Sequence, residues 1–183
     1  GGVRAEPSNL IPGFIYRRGS DEMAIRKVGV LGCGLMGSGI AEIAAKAGFE
    51  TVVREVSDGL LEKGMGRIRG SLARAVEKGK MTADERDVVL GRIQGTTGFE
   101  AMADCDLVVE AIVENLDEKK STYAALDKVV QPAAIFASNT SGFVIEEVGR
   151  DVSAGRKPLF VGMHFSNPVT TMKMCEVIYT PET

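Results

Sequence analysis

A histidine and a glutamate near the C-terminal end of the chain are the residues best suited to acid–base chemistry. His164 is the one histidine of the chain and ends an apolar, strand-like run. Glu176 lies in a second such run, after a turn marked by Pro168. A carboxylate bound to one imidazole nitrogen fixes the tautomer and leaves the other nitrogen as a base. A lone histidine at a strand end is more often a packed structural residue, so the pair is at this point a hypothesis.

A glycine-rich turn near the start of the chain has the pattern of a dinucleotide-binding loop. Residues 32–37 read GCGLMG, a GxGxxG motif that follows an apolar strand and opens an amphipathic helix. Gly32 permits the tight turn, Gly34 lets a pyrophosphate approach the backbone, and Gly37 lets helix and strand pack closely. The helix N-terminus offers free N–H groups to the phosphates. The cofactor-binding residues predicted in this loop are Gly32, Gly34, Leu35, Met36 and Gly37.

The choice between NAD and NADP depends on Glu55, which follows the second strand, 18 residues after Gly37. A carboxylate at this position binds the ribose hydroxyls of the adenosine half and repels a 2′-phosphate, which favours NAD. The neighbouring Arg54 could neutralise such a phosphate and is the argument for NADP. We predict that the cofactor is NAD.

The elements that must position these residues alternate between strand and helix from residue 27 to residue 137. The strands are almost entirely apolar, which indicates a parallel sheet with helices on both faces. We predict one helix over residues 57–78 and another that begins after Thr82 and includes Ile93. The predicted fold class is α/β, a Rossmann-type, doubly wound and mostly parallel sheet.

The two ends of the chain depart from this alternation. Residues 158–165 and 173–179 are strand-like with no helix between them, which predicts that the last two strands run antiparallel to the rest. Residues 1–22 lack helical and strand periodicity, whereas Met23 closely precedes the first strand. We therefore divide the chain into an N-terminal extension or linker, 1–22, and an NAD-binding Rossmann domain, 23–183.

The composition argues against several classes of function. The chain has 183 residues, is 44% hydrophobic and 26% charged, and carries a net charge of −3, so nucleic acid is not an expected partner. No apolar run approaches the roughly 20 residues needed to cross a bilayer, so no membrane partner is expected. The three cysteines are scattered, which predicts free thiols in a reducing cytoplasm and neither a disulfide framework nor a metal site.

Several separated segments together resemble the L-3-hydroxyacyl-CoA dehydrogenases. They are KVGVLGCGLMGSGIA at 27–41, DLVVEAIVEN at 106–115, SNTS at 138–141, HFSNP at 164–168 and MKMCE at 172–176. The similarity runs from about Lys27 to the end of the chain and is strongest to short-chain bacterial 3-hydroxybutyryl-CoA dehydrogenases. It implies NAD-dependent oxidation of an L-3-hydroxyacyl-CoA, such as 3-hydroxybutyryl-CoA, to the 3-ketoacyl-CoA.

The resemblance also implies roles for particular residues. His164 would be the general base, Glu176 its orienting partner, and Ser141 a hydrogen-bonding partner of the substrate's 3-oxygen. The residues that match positions around the nicotinamide end of NAD are Glu114, Lys119, Asn139 and Asn167. Ser71 and Lys78, in a stretch with six basic and two acidic side chains, match positions near the CoA moiety of the acyl-CoA substrate.

Members of the family continue with a helical domain that closes the substrate cleft and forms the dimer, whereas this chain stops at Thr183. We therefore expect the chain alone to bind NAD and to turn over acyl-CoA poorly, and the longer protein to be a homodimer. Ser166 and Gly142 replace the phenylalanine and serine usual in the family. The expected acyl chain length depends on what these two replacements do to the pocket.

Two other interpretations are consistent with the same residues. A related dehydrogenase acting on a carrier-protein thioester or a sugar acid would use the same histidine–glutamate pair in a different pocket. A non-catalytic NAD-binding module would have no need of His164 and Glu176, so the presence of both residues argues against that interpretation.

Overall fold

The computed structural model describes residues 16–18, 21–23 and 25–183, and a seven-stranded sheet forms its centre. The central strands are short apolar runs, such as Lys27–Leu31 and Leu107–Glu110, in which most side chains are buried. Side chains of a strand point alternately to its two faces. Runs of this kind are therefore stable only where helices cover both faces of the sheet.

The sheet has the strand order of a doubly wound fold. The described strands are, in chain order, β1 (Tyr16–Arg18), β2 (Asp21–Met23), β3 (Lys27–Leu31), β4 (Glu50–Arg54), β5 (Ile93–Thr96), β6 (Leu107–Glu110), β7 (Ile135–Ser138), β8 (Phe160–Phe165) and β9 (Cys175–Ile178). The main sheet has the order β5-β4-β3-β6-β7-β8-β9. Neighbours from β5 to β8 are parallel, and β9 pairs antiparallel with β8. The predicted Rossmann-type, mostly parallel sheet is confirmed.

Capping residues determine where the connecting helices begin. The described helices are α1 (Leu35–Lys46), α2 (Asp58–Glu77), α3 (Ala83–Gly91), α4 (Leu116–Leu126) and α5 (Ile145–Val148). The Ser57 hydroxyl accepts a backbone N–H in the first turn of α2, and Thr82 forms a reciprocal capping box with Glu85 at α3. The Asn115 side chain accepts two backbone N–H groups at the start of α4. The predicted starts, at about residue 57 for α2 and after Thr82 for α3, are thus confirmed.

Two hydrophobic cores form, one on each face of the sheet. On one face, α1, α2 and α3 contribute Ile40, Ile68 and Val89. On the other face, α4 and α5 contribute Tyr123 and Val148. Helices therefore cover both faces, as predicted. Among the described helices, none is both long enough and apolar enough to cross a bilayer.

The expectation for the last two strands is confirmed in their pairing with each other and corrected in one respect. β8 and β9 are antiparallel, because a loop without a helix reverses the chain between them. β8 itself runs parallel to β7, with Ser138 opposite Gly162, because α5 lies on the crossover between these strands. Only β9 is reversed relative to the rest of the main sheet.

Two local expectations differ from the structure. α3 ends at Gly91, and Ile93 begins β5 opposite Thr51 of β4. The backbone pairing of this edge strand outweighs the helical spacing of its apolar residues. Strands β1 and β2 pair antiparallel outside the main sheet, in a segment whose sequence has no strand periodicity. The domain boundary at residue 23 stays a prediction.

Candidate functional site

The strand order creates a crevice between the carboxyl ends of β3 and β6, because the chain leaves β3 toward one face of the sheet and leaves β6 toward the other. The loops after these two strands nearly touch. Gly32 has φ +88°, and a side chain on it would come within 2.6 Å of the Ala111 carbonyl oxygen. A positive φ and this close approach both require glycine at position 32.

The glycine-rich loop leaves room for a ligand on one side and none on the other. A side chain at Gly37 would come within 1.9 Å of the Gly32 carbonyl oxygen, so this glycine lets α1 pack against the loop. At Gly34 a side chain would meet no atom within 4 Å, so the backbone there borders open space. Leu35 begins α1 and is exposed, and Met36 is half-buried. The N-terminus of α1 therefore faces an open cradle suited to an anion.

The carboxylate of Glu55 is bound to the glycine-rich loop. Its Oε1 accepts the N–H of Cys33 at 2.7 Å, and its Oε2 accepts the N–H of Val56 at 3.0 Å. From α2, Arg67 donates to the Cys33 carbonyl oxygen at 3.2 Å. Burial and the charge of Glu55 raise the pKa of the Cys33 thiol to about 11, against the opposing effect of Arg67. A carboxylate has about four acceptor sites, so Glu55 retains acceptors for ligand hydroxyls.

Arg54 is bound away from Glu55. Its Nε donates to the Thr97 carbonyl oxygen at 3.1 Å, and its guanidinium lies 4.4 Å from the centre of the Phe99 ring. Arg54 is the last residue of β4 and Glu55 directly follows it, and the two side chains diverge to different partners, Thr97 for Arg54 and Cys33 for Glu55. Arg67, one of the six basic residues of the stretch that contains Ser71 and Lys78, is instead the cation whose side chain donates to the glycine-rich loop.

A closed ring of polar side chains joins the ends of β6 and β7 to the start of α4. We call it the polar ring; its members are Glu110, Ser138, Thr140, Glu114 and Lys119. Lys119 Nζ lies 2.5 Å from Glu110 Oε1 and 3.2 Å from Glu114 Oε2. Ser138 donates to Glu110 Oε2 at 2.7 Å and accepts the N–H of Thr140 at 3.3 Å, and Thr140 donates to Glu114.

Burial varies around the polar ring. Lys119 and Glu110 are 1% and 0% exposed, whereas Glu114 is 46% exposed. Burial tends to raise the pKa of Glu114, but hydrogen bonds from Thr140 and Lys119 outweigh it and hold that pKa below its usual value. Glu114 is therefore an ionised carboxylate that borders solvent, held in place by buried partners.

Asn139 connects the loop after β7 to the end of β8. Its side-chain oxygen accepts the N–H of Phe165 at 2.9 Å, and its own N–H donates to the Glu110 carbonyl oxygen at 2.8 Å. Ser141 follows in the same loop and is exposed. The predicted residues Asn139 and Ser141 thus lie on a loop fixed beside the strand that carries His164.

His164 and Glu176 face each other across β8 and β9 at the edge of the main sheet. They occupy paired positions of the antiparallel strands, and His164 Nδ1 lies 2.7 Å from Glu176 Oε2. His164 is 35% exposed and Glu176 is 59% exposed. With Nδ1 bound to the carboxylate, the Nε2 atom is the nitrogen left for proton transfer.

The loop between β8 and β9 is anchored to α1. The buried side chain of Val169 packs so closely on Gly39 that a side chain there would come within 2.9 Å of it. Asn167 lies two residues earlier and is exposed. The anchor brings the predicted residue Asn167 toward the helix that begins at the glycine-rich loop.

Ser71 and Lys78 lie apart from these groups. Both belong to the C-terminal half of α2 and its cap, two helical turns from each other, so they share one face. α2 packs against α1, α3 and β5. Because β5 and β9 are opposite edges of the sheet, the described structure does not bring these two residues next to His164.

Sequence reasoning missed three members of the polar ring: Glu110, Ser138 and Thr140. Glu110 had a signal in the sequence, since a carboxylate at the end of the otherwise apolar strand Leu107–Glu110 must be paired if it is buried. Its partners come from segments about 9 and 28 residues away. Only the fold shows which residues these are.

A family model and similar curated proteins identify the family of this chain. The family model described as "3-hydroxyacyl-CoA dehydrogenase, NAD binding domain" matches residues 27–183. A probable 3-hydroxybutyryl-CoA dehydrogenase of Deinococcus radiodurans is 48% identical over 152 residues, which cover 83% of this chain and 54% of that protein. The 3-hydroxybutyryl-CoA dehydrogenase of Mycobacterium tuberculosis is 44% identical over 158 residues, or 86% of this chain and 54% of that protein.

The solved structures show the same relationship. The crystal structure of (S)-3-hydroxybutyryl-CoA dehydrogenase from Ralstonia eutropha matches with a TM-score of 0.84 and 37% identity. The match covers 87% of this chain and 56% of that one. The chain therefore spans about half the length of the relatives that it matches.

Proposed function

Because the chain belongs to the NAD-binding domain of the 3-hydroxyacyl-CoA dehydrogenases, we propose that the protein oxidises an L-3-hydroxyacyl-CoA to the 3-ketoacyl-CoA. The substrate we propose first is 3-hydroxybutyryl-CoA, because the relatives at 48% and 44% identity carry that substrate in their names. The single observation that supports catalysis is the contact of 2.7 Å between His164 and Glu176.

His164 and Glu176 are proposed to move the hydroxyl proton of the substrate. Glu176 binds Nδ1 of His164, which sets the tautomer in which Nε2 carries the free lone pair. Nε2 then takes the proton of the 3-hydroxyl, and the carboxylate stabilises the imidazolium that results. The exposed Ser141 is proposed to hydrogen-bond the 3-oxygen, on the loop that Asn139 fixes beside β8.

NAD fits the residues present around the crevice. The open space at Gly34 suits a pyrophosphate at the N-terminus of α1, and Glu55 has acceptors left for the ribose hydroxyls. Glu114 and Asn139 are proposed to contact the nicotinamide end, with Lys119 and Asn167 beside them. When bound, NAD accepts the hydride that leaves C3 of the substrate.

The CoA moiety is proposed to lie along α2, at Ser71 and Lys78. On the same helix, Arg67 donates a hydrogen bond to the Cys33 carbonyl oxygen, and Arg69 forms a salt bridge with Glu62. The exposed Lys78 carries a positive charge suited to a phosphate of CoA. Formation of a homodimer and a cytoplasmic location stay predictions.

The reaction can be tested by following NADH absorbance with L-3-hydroxybutyryl-CoA as the substrate. Two proteins should be compared: the 183-residue chain and the same chain extended by the helical domain of a relative. We expect both to bind NAD and the extended protein to form NADH much faster. If the extended protein binds NAD and forms no NADH from this or longer L-3-hydroxyacyl-CoA substrates, the proposed function is wrong.

A further inference from the structure

Glu110 is a fully buried carboxylate to which the proposed reaction assigns no role. It ends β6, a strand of otherwise apolar residues, and is 0% exposed. Removing a charge from water is costly unless the charge is paired and hydrogen-bonded. A carboxylate in such a position must therefore be bound by several partners. The identity of these partners indicates which segments of the chain Glu110 keeps in place.

Three different segments converge on this carboxylate. Oε1 accepts a hydrogen bond from the Lys119 ammonium at 2.5 Å and another from the N–H of Ile112 at 2.8 Å. Oε2 accepts a hydrogen bond from the Ser138 hydroxyl at 2.7 Å. Glu110 thus links the loop after β6, the first turn of α4 and the end of β7.

From Glu110 the hydrogen bonds lead to the border with solvent. Lys119 and Thr140 each bind one oxygen of Glu114, and the Thr140 N–H binds Ser138. The polar ring is therefore closed, so the solvent-facing Glu114 is held from two sides. The loop that carries Asn139 is fixed by the same ring, because Asn139 lies between Ser138 and Thr140.

We propose that Glu110 is a positioning residue for the nicotinamide end of the cofactor site. Its buried carboxylate holds Glu114 and the Ser138–Thr140 loop in one arrangement before any ligand binds. This inference rests on the proposed function, which assigns Glu114 and Asn139 to the nicotinamide. A site organised in advance loses less conformational entropy on binding, so its contacts contribute more to affinity.

The test compares NAD with ADP-ribose, which has the adenosine and both phosphates of NAD but lacks the nicotinamide. Calorimetric titration of the 183-residue chain gives both dissociation constants and requires no turnover. For Glu110→Gln we expect NAD affinity to fall about tenfold, since residues that orient ligand-binding groups change affinity by roughly 10–100-fold in metal sites. ADP-ribose affinity should stay nearly unchanged, because Gly34 and Glu55 bind the other end.

The matched control is Glu42→Gln. Glu42 is also a buried glutamate, 2% exposed, and its Oε1 lies 2.5 Å from Lys46 Nζ on α1. The substitution makes the same chemical change away from the polar ring. Both dissociation constants should then stay as in the unchanged chain, with folding checked by thermal unfolding.

A second variant covers the case in which Glu110→Gln does not fold. Ser138→Ala removes the hydrogen bond from the Ser138 hydroxyl to the Glu110 carboxylate, and it leaves the ion pair with Lys119 and the backbone bond from Asn139 to Glu110 intact. We expect the same selective loss of NAD affinity, smaller in size, with ADP-ribose binding unchanged.

Three results would overturn the inference. The first is that the folded variants lose NAD and ADP-ribose affinity equally, as a general structural defect would produce. The second is that neither affinity changes. The third is that the unchanged chain binds the two ligands equally, since its nicotinamide end would then make no useful contact. Selective loss of NAD affinity without NADH formation by the extended protein would contradict the proposed reaction and leave the positioning role standing.

Discussion

The polar ring and the His164–Glu176 pair differ in how much of their surroundings the described residues supply. In the polar ring, Glu110 and Lys119 are 0% and 1% exposed, and their partners come from the ends of β6 and β7, the loop after β6 and the first turn of α4. The histidine pair lies at the edge of the sheet and is 35% and 59% exposed. Nearby apolar side chains of the β9 region are exposed as well, at Met172 and Met174.

The two regions therefore differ in how far their geometry and their surroundings are fixed before a ligand binds. A buried, multiply bonded cluster has a fixed geometry before a ligand arrives. An exposed pair has the correct contact, but water surrounds it and weakens its electrostatic effect on a reacting group. We therefore expect this chain to bind the cofactor with most of its full strength and to catalyse weakly unless the pair is covered.

The largest expected effect is on turnover, through the exposed pair. In the extended protein, His164→Gln should lower kcat by roughly 10²–10⁴-fold, because the proton of the substrate loses its acceptor. NAD affinity should barely change, since the proposed contacts to the pyrophosphate and the adenosine ribose lie elsewhere. Steady-state NADH formation and calorimetric titration measure the two quantities.

Glu176→Gln serves as the companion variant. It should also lower kcat, and the double variant should be little worse than His164→Gln alone, because the two residues act as one unit. A near-normal kcat in His164→Gln would show that this pair is not the catalytic one, and it would favour the NAD-binding module.

The next effect is on folding, through the polar ring. Lys119→Met should lower the free energy of unfolding by about 3–5 kcal/mol, because it leaves Glu110 buried without its ion-pair partner. Urea unfolding followed by circular dichroism measures this change. Arg69→Met, which breaks an exposed pair with Glu62, should change stability by no more than about 0.5 kcal/mol. Similar small values for both variants would contradict the view that the ring is rigid and fully paired.

A smaller effect is expected at the adenosine end of the crevice. Glu55→Ala should weaken NAD binding by about 1.5–3 kcal/mol, the usual contribution of hydrogen bonds to a charged group. NADP should lose far less affinity, because removing the carboxylate also removes its repulsion of the 2′-phosphate. Titration of both dinucleotides tests this, with Arg54→Ala as the control, since Arg54 is bound to Thr97. Equal losses for NAD and NADP would argue against the assignment of Glu55.

The smallest effect concerns two cysteines, one buried in the glycine-rich loop of the cofactor crevice and one on β9 beside the exposed pair. Cys33 is 1% exposed in the glycine-rich loop, with its thiol pKa raised to about 11, whereas Cys175 is half-buried on β9. A maleimide at pH 7 should label Cys175 first. The buried Cys33 can react only when the glycine-rich loop opens, and NAD should bind only the closed loop. NAD at about four times its dissociation constant should therefore slow labelling of Cys33 about fivefold. Mass spectrometry of each peptide gives both rates. If NAD slowed labelling of Cys175 as much as that of Cys33, it would order β9 at the edge of the sheet as much as the glycine-rich loop.

Much of the fold followed from local patterns in the sequence. The alternation of apolar strands with helices predicted the parallel sheet, and the residues Ser57 and Thr82 gave the starts of α2 and α3. These features depend on neighbours within a few residues, so they can be read directly from the chain. Ile93 was misassigned because its strand forms by pairing with β4, and that pairing outweighs local periodicity.

For the candidate site, the sequence determined which groups are available, and the tertiary structure decided which of them meet. The motifs named His164, Glu176 and Glu55 because their chemistry and spacing are characteristic. The polar ring could not be foreseen, because Glu110 meets Ser138, 28 residues away, only when β6 and β7 pair in register. A hydrogen bond depends on the distance between two atoms, and for residues far apart in the chain only the folded backbone sets that distance.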